Sequence, residues 1–580
     1  MNILGISCYY HDSAAALVRD GRLVAAAHEE RFTRKKHDPG FPSRAVAYCL
    51  GESGLTMKEI DFVAFYDKPF LKFERILQTY LDTWPKSYPS FIKAMPLWVK
   101  EKMWIPQTLR KELEYEGPVL FAEHHYSHAA SAFLVSPFTK AAILTLDGVG
   151  EWDTTTYGVG EGNSIRLLKS IAFPHSLGLF YSAFTYYLGF RVNSAEYKVM
   201  GLAPYGEPKY ADLIRKNLIE IRDDGSFRMN MEYFIYDWAL RMTGRKFSAL
   251  FGQPVREGES PLQQFHKDVA ASLQAVTDEV VVKAARHIQK ETGLNQLCMA
   301  GGVALNCVAN SRVLASTPFR EIFIQPAAGD AGGAVGAAFY VYNTVLGNQR
   351  SFTWQHAFLG PAFSGSDIEQ FLRRHGIPFE QVRGEALLDT VARRIAEQKV
   401  VGWFQGRMEY GPRALGSRSI LADARNPENW QRVNLKIKFR ESFRPFAPTV
   451  MSDRMHDYFE FPGPSPYMLF TAQVHESRRK EIPAVTHVDG SARLQTISRD
   501  EHPLYYGLLE RFAALTGCPV VINTSFNVRG EPIVCSPEDA FRCFVNTDMD
   551  ILVLGEYIIS KDRIALDEFR RKYAAAYSLD

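Results

Sequence analysis

The sequence predicts a mixed α/β protein of two domains, the first of them built by duplication. Three observations lead there. A strand–turn–strand unit opens the chain, and a second in the same order begins near residue 140. Paired glycines at Gly301-Gly302 and Gly332-Gly333 follow strand-like runs and precede helical ones, the alternation from which α/β folds are built. Near residues 345–355 the composition shifts, and 580 residues are too many for one hydrophobic core.

Taken in order, "NILGISC" and "AAALVRDGRLVAAAHEE" are β-rich, and Asp20-Gly21 inside the second is a hairpin signal with a helix expected beyond it. Residues 70–117 are aromatic, basic and broken by prolines, which predicts helices inserted between core elements. Their plain role is packing or a subunit contact, and the sharper alternative is one wall of a substrate pocket. "KAAILTLDGVGEWDTTTYGVGEG" repeats the opening unit. Val269, Leu273, Val276, Val280, Ala284 and Ile288 share one face of an amphipathic helix that Gly293 ends. "QLCMAGGVALNCVANSRV" and "EIFIQPAAGDAGG" each read as a strand entering a glycine turn and then a helix. The last domain holds strand-like runs at "KVVGWF", "PVVINTS" and "MDILVLG".

The totals narrow the function classes. Net charge is +2 with acids and bases mixed throughout, unlike the concentrated basic face of a dedicated nucleic-acid binder. No apolar run is long enough to cross a bilayer, and the start lacks the pattern of a signal peptide. The seven cysteines are scattered, with no CxxC pair, which fits reduced thiols in a cytoplasm. A soluble cytoplasmic enzyme is expected.

Three constellations carry chemistry. In "EHHYSHAASAF", His124 and His128 are four residues apart and share a helix face, while His125 points elsewhere, to the helix surface or behind the pair. Asp147 after "AILTL" and Asp330 in "PAAGDAGG" sit at strand ends and could complete a metal site. Such an N₂O₂ set suits Fe(II), Mn(II) or Zn(II), and the alternative is a histidine helix with no metal. "AGGVALN", with Gly301, Gly302, Val303 and Asn306, is either a tight strand-to-helix turn or a loop that lets a nucleotide approach the backbone. The third is arginine and its polar neighbours in turn-like stretches of the last domain: Arg413, Arg418, Lys438, Arg444, Arg493, Ser525 and Asn527. Converging guanidinium groups and Ser/Asn donors make an anion site for phosphate or carboxylate, against the plainer reading of a solvated charged face.

"YYHDSAAAL", "EERFTRKKHD", "HHYSHAASAF", "EYKVMGLAPYG", "GGVALNCVAN", "GPRALGSRSI", "FRPFAP" and "NTSFNVRGEPIV" occur in that order. Together they resemble the NodU/CmcH family of O-carbamoyltransferases. The resemblance implies an actin/sugar-kinase-like (ribonuclease H-like) domain over 1–350, then a YrdC-like α/β domain over 351–580. It implies an iron site at His124, His128, Asp147 and Asp330, and His11 as base on an acceptor hydroxyl. It further implies adenosine binding at residues 301–306, with Lys198 near the adenylate. Carbamoyl phosphate and ATP, with magnesium, are assigned to the arginine-rich domain. Lys36, in the charge run "RKKHD", is placed on the acceptor side, against the plainer reading of a solvated charged face. The expected reaction converts carbamoyl phosphate to carbamoyl-adenylate and passes the carbamoyl group to a hydroxyl of a small molecule, a secondary metabolite or a saccharide. A homodimer is a reasonable assembly, and no nucleic acid or membrane partner is expected. Two rivals stand beside this reading. One is a threonylcarbamoyl transferase acting on tRNA adenosine, which the near-neutral charge disfavours. The other is a non-catalytic nucleotide-binding scaffold, which would have no use for the arginine-rich domain.

Overall fold

A computed structural model describes residues 1–100 and 102–574. Residue 101 of the predicted insert and residues 575–580 of the second domain lie outside the described residues. The chain forms two compact units, one of Met1–Glu29 with His37–Trp354, the other of Glu30–Lys36 with Gln355–Asp580.

The first unit holds two five-stranded sheets of the same design. One contains β1 (Asn2–Ser7), β2 (Ala14–Arg19), β3 (Arg22–His28), β4 (Phe62–Phe65) and β5 (Val119–Phe121) in the order β3-β2-β1-β4-β5. The other contains β6 (Lys140–Leu146), β7 (Asp153–Glu161), β8 (Ser164–Ala172), β11 (Gln296–Ala300) and β12 (Glu321–Phe323), in the order β12-β11-β6-β7-β8. In each, the first three strands form an antiparallel meander, and the last two add in parallel beside the first. Matching order and matching sense are what a duplication requires. Asp20 and Gly21 both have positive φ, 48° and 74°, the backbone of a two-residue hairpin turn whose twist suits the flanking strands.

The lobes differ in their insertions. Between β4 and β5 come the helices Pro69–Asp82, Tyr88–Lys100 and Ile105–Leu113. Between β8 and β11 come further helices, a small hairpin of β9 (Ile219–Ile221) and β10 (Phe227–Met229), and the long helix Gln264–Thr292. That helix buries Val269, Leu273, Val276, Val280 and Ile288, and Gly293 ends it in the left-handed region at φ 68°.

In the second unit eight strands make one sheet: β13 (Glu380–Gln381), β14 (Val401–Phe404), β15 (Arg418–Asp423), β16 (Ala447–Met451), β20 (Gln495–Ile497), β21 (Val520–Ser525), β22 (Ile551–Leu554) and β23 (Tyr557–Ser560). A smaller sheet joins β17 (Phe459–Glu460), β18 (Thr471–Val474) and β19 (Ser491–Arg493). Residues alternate between two cores. Val401, Trp403, Leu421, Val521 and Val553 face one core with the helices Gly384–Ala396 and Pro503–Thr516, while Phe404, Ile420, Ile522 and Leu552 face the other. A strand buried on both faces reads as an apolar run, as the stretches that form β14, β21 and β22 do.

The segment Glu30–Lys36 belongs to this second unit. Phe32 packs beside Met408, Ala414, Ile533 and Cys535. Arg31 donates to the Gly411 carbonyl at 2.9 Å, and Arg34 to the carbonyls of Pro532 and Ile533 at 2.7 Å each. Arg34 also faces Glu531 and Asp539 at 3.3 and 3.5 Å. All seven cysteines are buried. Among the described residues no helix is long and apolar enough to cross a membrane.

Candidate metal centre and anion site

The helix His124–Phe133 begins three residues after β5. Its start is capped from a distance: the His124 N–H donates to both carboxylate oxygens of Glu151 at 3.1 Å. Glu151 is buried, also accepts from the Lys68 N–H at 2.7 Å, and places negative charge where a helix favours it. The four-residue spacing puts the two histidines side by side, with their Nε2 atoms 3.0 Å apart. Asp147, directly after β6, brings Oδ2 to 3.1 Å from His124 Nε2 and 3.8 Å from His128 Nε2. Asp330 Oδ1 lies 3.7 and 3.6 Å from the same two atoms. One ligand atom from each of the four residues falls within 4.8 Å of the others.

Asp330 does not follow its strand directly, as expected; β12 ends at Phe323, and the aspartate precedes the helix Ala331–Phe339. Glycine brings that helix close enough. A Cβ on Gly336 would stand 1.8 Å from the Ser127 carbonyl oxygen, and one on Gly5 1.9 Å from that of Ala334. The small residues of "GDAGGAVGAA" therefore serve close packing against the histidine helix and β1.

The donor set fits a divalent cation. All four residues are buried, and neither oxygen of Asp330 has a hydrogen-bond donor among the described residues. A carboxylate left in that state is costly unless a cation offsets it. Burial opposes charge on His128, but the nearby carboxylates of Asp147 and Asp330 outweigh it and raise its pKa to about 9. Asp147 is held well below the usual carboxylate range, because His124 and His128 outweigh its burial. His125 is buried rather than on the helix surface, and its Nδ1 pairs with Thr145 Oγ1 at 2.6 Å. Burial and the two neighbouring histidines push its pKa down to about 3.

His11 stands beside this cluster, its Nε2 3.7 Å from Asp330 Oδ2 and its Nδ1 2.9 Å from Asp12 Oδ2. Asp12 Oδ1 meets His37 Nδ1 at 2.7 Å, and His37 Nε2 meets Ser194 Oγ at 3.0 Å. Against the penalty of burial, Asp330 and Asp12 raise the His11 pKa to about 10. Asp12 adopts φ 53°, a region that Asp tolerates better than most residues. The "AGGVALN" loop docks on the same centre through the Gly302 N–H, which donates to Asp147 Oδ1 at 2.8 Å. Val303 lies in the short turn of helix after it, and Asn306 caps the helix Cys307–Ser316 through a 3.1 Å bond from the Ala309 N–H. Lys198 is buried in the helix Glu196–Leu202, its ammonium 5.9 Å from the centre of the Phe190 ring. Lys36 falls in the second unit.

In that unit three of the singled-out residues meet. Lys438 Nζ donates to the Ser525 carbonyl at 2.6 Å, to Ser525 Oγ at 3.2 Å, to the Asn527 carbonyl at 2.8 Å, and to the Asn527 side chain. Burial first, then Arg440 and Arg444 nearby, lower the Lys438 pKa well below the usual lysine range. Arg444 and Arg529 both face Glu441, at 3.8 Å. Arg418 has a different job. It is fully buried, stacked 3.6 Å from the centre of the Phe404 ring, and donates to the carbonyls of Pro361, Gln405, Gly406 and Ser417. Its guanidinium ties loops together instead of opening to an anion. Arg413 lies in the loop between β14 and β15, and Arg493 at the end of β19.

The family model described as "Carbamoyltransferase N-terminus" matches residues 2–339, and "Carbamoyltransferase C-terminus" matches residues 392–561. The chain belongs to the carbamoyltransferase family. An uncharacterized protein of Synechocystis sp. is 52% identical, with all of both chains covered. Nodulation protein NolNO of Sinorhizobium fredii is 40% identical over 97% of this chain and 81% of its own. Nodulation protein NolO of Bradyrhizobium diazoefficiens is 39% identical over 77% of this chain and 80% of its own.

Several residues of this carbamoyltransferase escaped the sequence reading. Glu409 is buried, and its Oε1 accepts from the N–H groups of Leu415, Ser417 and Arg418 at 2.8, 2.7 and 3.1 Å. It thus organises the "GPRALGSRSI" loop. Glu151 was missed as a site residue because its partners, Lys68 and His124, are distant in the chain. A signal existed for Glu151, an acid four residues past Asp147 at a glycine turn.

Proposed function

We propose that the carbamoyltransferase is ATP-dependent and carries the carbamoyl group to a hydroxyl through carbamoyl-adenylate. Activation is assigned to the second unit, read as YrdC-like. There, water cleaves carbamoyl phosphate to carbamate and phosphate, and a carbamate oxygen attacks the α-phosphorus of ATP, expelling pyrophosphate. Lys438, Arg444, Ser525 and Asn527 hold and offset the phosphoryl oxygens as charge shifts among them.

Transfer is assigned to the first unit. The acceptor oxygen attacks the carbamoyl carbon, the carbon–oxygen bond to AMP breaks, and AMP leaves with the electron pair. His11 Nε2 takes the hydroxyl proton, as a neutral ring once a cation offsets Asp330, the carboxylate that most raises its pKa. Asp12, on Nδ1, sets the tautomer that leaves Nε2 able to accept, a role that distant carboxylates perform for catalytic imidazoles. His124, His128, Asp147 and Asp330 would hold Fe(II), Mn(II) or Zn(II), which when bound supplies Lewis acidity toward the donor's phosphate. Gly302, on Asp147, keeps the nucleotide loop in register with those ligands. The observation that carries this reading is Asp330: a buried carboxylate with no donor, set between two histidines, a second aspartate and His11.

The test separates the half-reactions. With carbamoyl phosphate, ATP and a hydroxylated acceptor, His11→Ala loses carbamoyl transfer by about 10²–10⁴-fold, while pyrophosphate release persists. Lys438→Ala loses both. Pyrophosphate release that survives Lys438→Ala would overturn the assignment of activation to that unit.

A further inference from the structure

Beside the transfer site lies a cavity of about 190 Å³, lined in part by Tyr10, Asp67, Lys72, Arg75, Trp98 and Ile105. At roughly 30 Å³ per water it has room for about six waters, or one ring-sized group. Its wall adjoins the proposed base, for the Tyr10 ring lies 4.6 Å from that of His11. The other wall is the inserted helices Pro69–Asp82 and Tyr88–Lys100 with their successor Ile105–Leu113.

Two cations are buried in that wall, Lys72 and Arg75. Lys72 is matched, its Nζ 2.5 Å from Asp67 Oδ2. Arg75 is not. Among the described residues its guanidinium makes no hydrogen bond or ion pair, its Nε is buried without a partner, and it lies over the face of Phe173 at 5.0 Å. Of the two nearest carboxylates, Asp67 meets Lys72 through Oδ2, its Oδ1 having no donor among the described residues, and Glu151 is engaged by the N–H groups of Lys68 and His124. Burial pulls the Arg75 pKa down to about 10. A guanidinium that is nine-tenths buried, unpaired and lining a cavity calls for an oxyanion, which its planar fork can grip with two parallel bonds.

We propose that this cavity receives the acceptor, and that the acceptor is a hydroxylated ring compound bearing an oxyanion, such as a carboxylate or sulfate, which Arg75 holds. The hydroxyl to be carbamoylated is thereby presented toward His11, and Trp98 and Tyr10 supply apolar faces for the ring. This rests on the assignment of transfer to the first unit. The same oxyanion chemistry could come from the phosphate of the donor, so the test must distinguish the two sources.

D-Glucuronate and D-glucose are matched probes, alike in their ring and hydroxyls and different by one carboxylate; AMP stands for the donor's phosphate. Each is titrated calorimetrically into the full-length protein and into Arg75→Met and Arg75→Lys, at constant ionic strength. Wild type is expected to bind glucuronate at least tenfold more tightly than glucose. Arg75→Met erases the difference, Arg75→Lys keeps part of it and covers the case in which the methionine variant does not fold, and AMP binding stays within twofold. Equal binding of the two sugars by wild type would overturn the proposal. So would loss of AMP binding with the sugar preference intact, which would give Arg75 to the donor. If instead the preference holds but no carbamoyl transfer is detected to any acceptor, the anion site stands and the catalytic reading fails, so the two failures are told apart.

Discussion

Asp147 is shared between two structures: its Oδ1 accepts from the Gly302 N–H at 2.8 Å, while its Oδ2 faces His124 at 3.1 Å. The glycine loop and the ligand cluster are therefore positioned by one carboxylate. Gly301 makes the approach possible, since it has φ 92° and a Cβ there would stand 2.2 Å from the Leu146 carbonyl oxygen. Gly301→Ala should cost about 2 kcal/mol or more of stability and lower the bound metal measured by elemental analysis. Wild-type metal content in that variant would break the link between loop and ligands.

Asp330→Asn should lower the stability of both forms of the protein, for different reasons. Stripped with chelator, the variant melts below wild type, because the attraction of Asp330 for His11 and His128 is lost. Reloaded with Fe(II), Mn(II) or Zn(II), wild type gains in melting temperature and the variant gains little. Equal gains in both would remove Asp330 from the ligand set.

Glu151→Gln keeps the shape of the helix cap but removes its charge. The start of His124–Phe133 should lose about 0.3–1 kcal/mol, and Glu151→Ala, which leaves the His124 N–H without its acceptor, about 1–3 kcal/mol. Denaturant melts provide the numbers, and hydrogen exchange at His124 shows whether the loss is local.

The segment Glu30–Lys36 should behave as part of the second unit. Arg34→Ala leaves the carbonyls of Pro532 and Ile533 without donors and Glu531 without its cation. A loss of roughly 2–3 kcal/mol is expected, visible as early unfolding of the second unit by hydrogen exchange. A fragment starting at residue 355 should be less stable than the same unit in the full chain.

His502 predicts an acid sensitivity. It caps the helix Pro503–Thr516 by accepting from the Tyr505 N–H through Nδ1 at 3.4 Å, which requires the neutral ring. Burial, with His356 nearby, lowers its pKa from 6.5 to about 4. Between those values the unfolded chain binds the proton and the folded one does not. Stability is thus lost as pH falls from 6.5 through 4, by up to about 3 kcal/mol. His502→Asn, which retains a capping oxygen, should flatten this part of the pH–stability curve.

Reading the sequence was most reliable where local pattern determines structure. The hairpin at Asp20-Gly21, the helix ended by Gly293, and the apolar runs that became β14, β21 and β22 all depend on neighbours a few residues away. The pairing of His124 with His128 was legible for the same reason, as spacing on one helix. Arg418 misled because a buried arginine that solvates carbonyls and one that binds phosphate look alike in a string of letters.

What the sequence by itself determined is the α/β alternation, the repeated strand–turn–strand unit, and the residue types from which a cation site and an anion site can be made. What only the tertiary structure decided is which of them meet: that Glu151 caps the histidine helix, that Asp12 joins His11 to His37, that Glu30–Lys36 packs within the second unit, and that Arg75 is buried with no ion pair among the described residues. The physical reason is range. Propensity and periodicity act within a few turns of chain, whereas charge pairing and burial are set by close packing between residues tens to hundreds of positions apart.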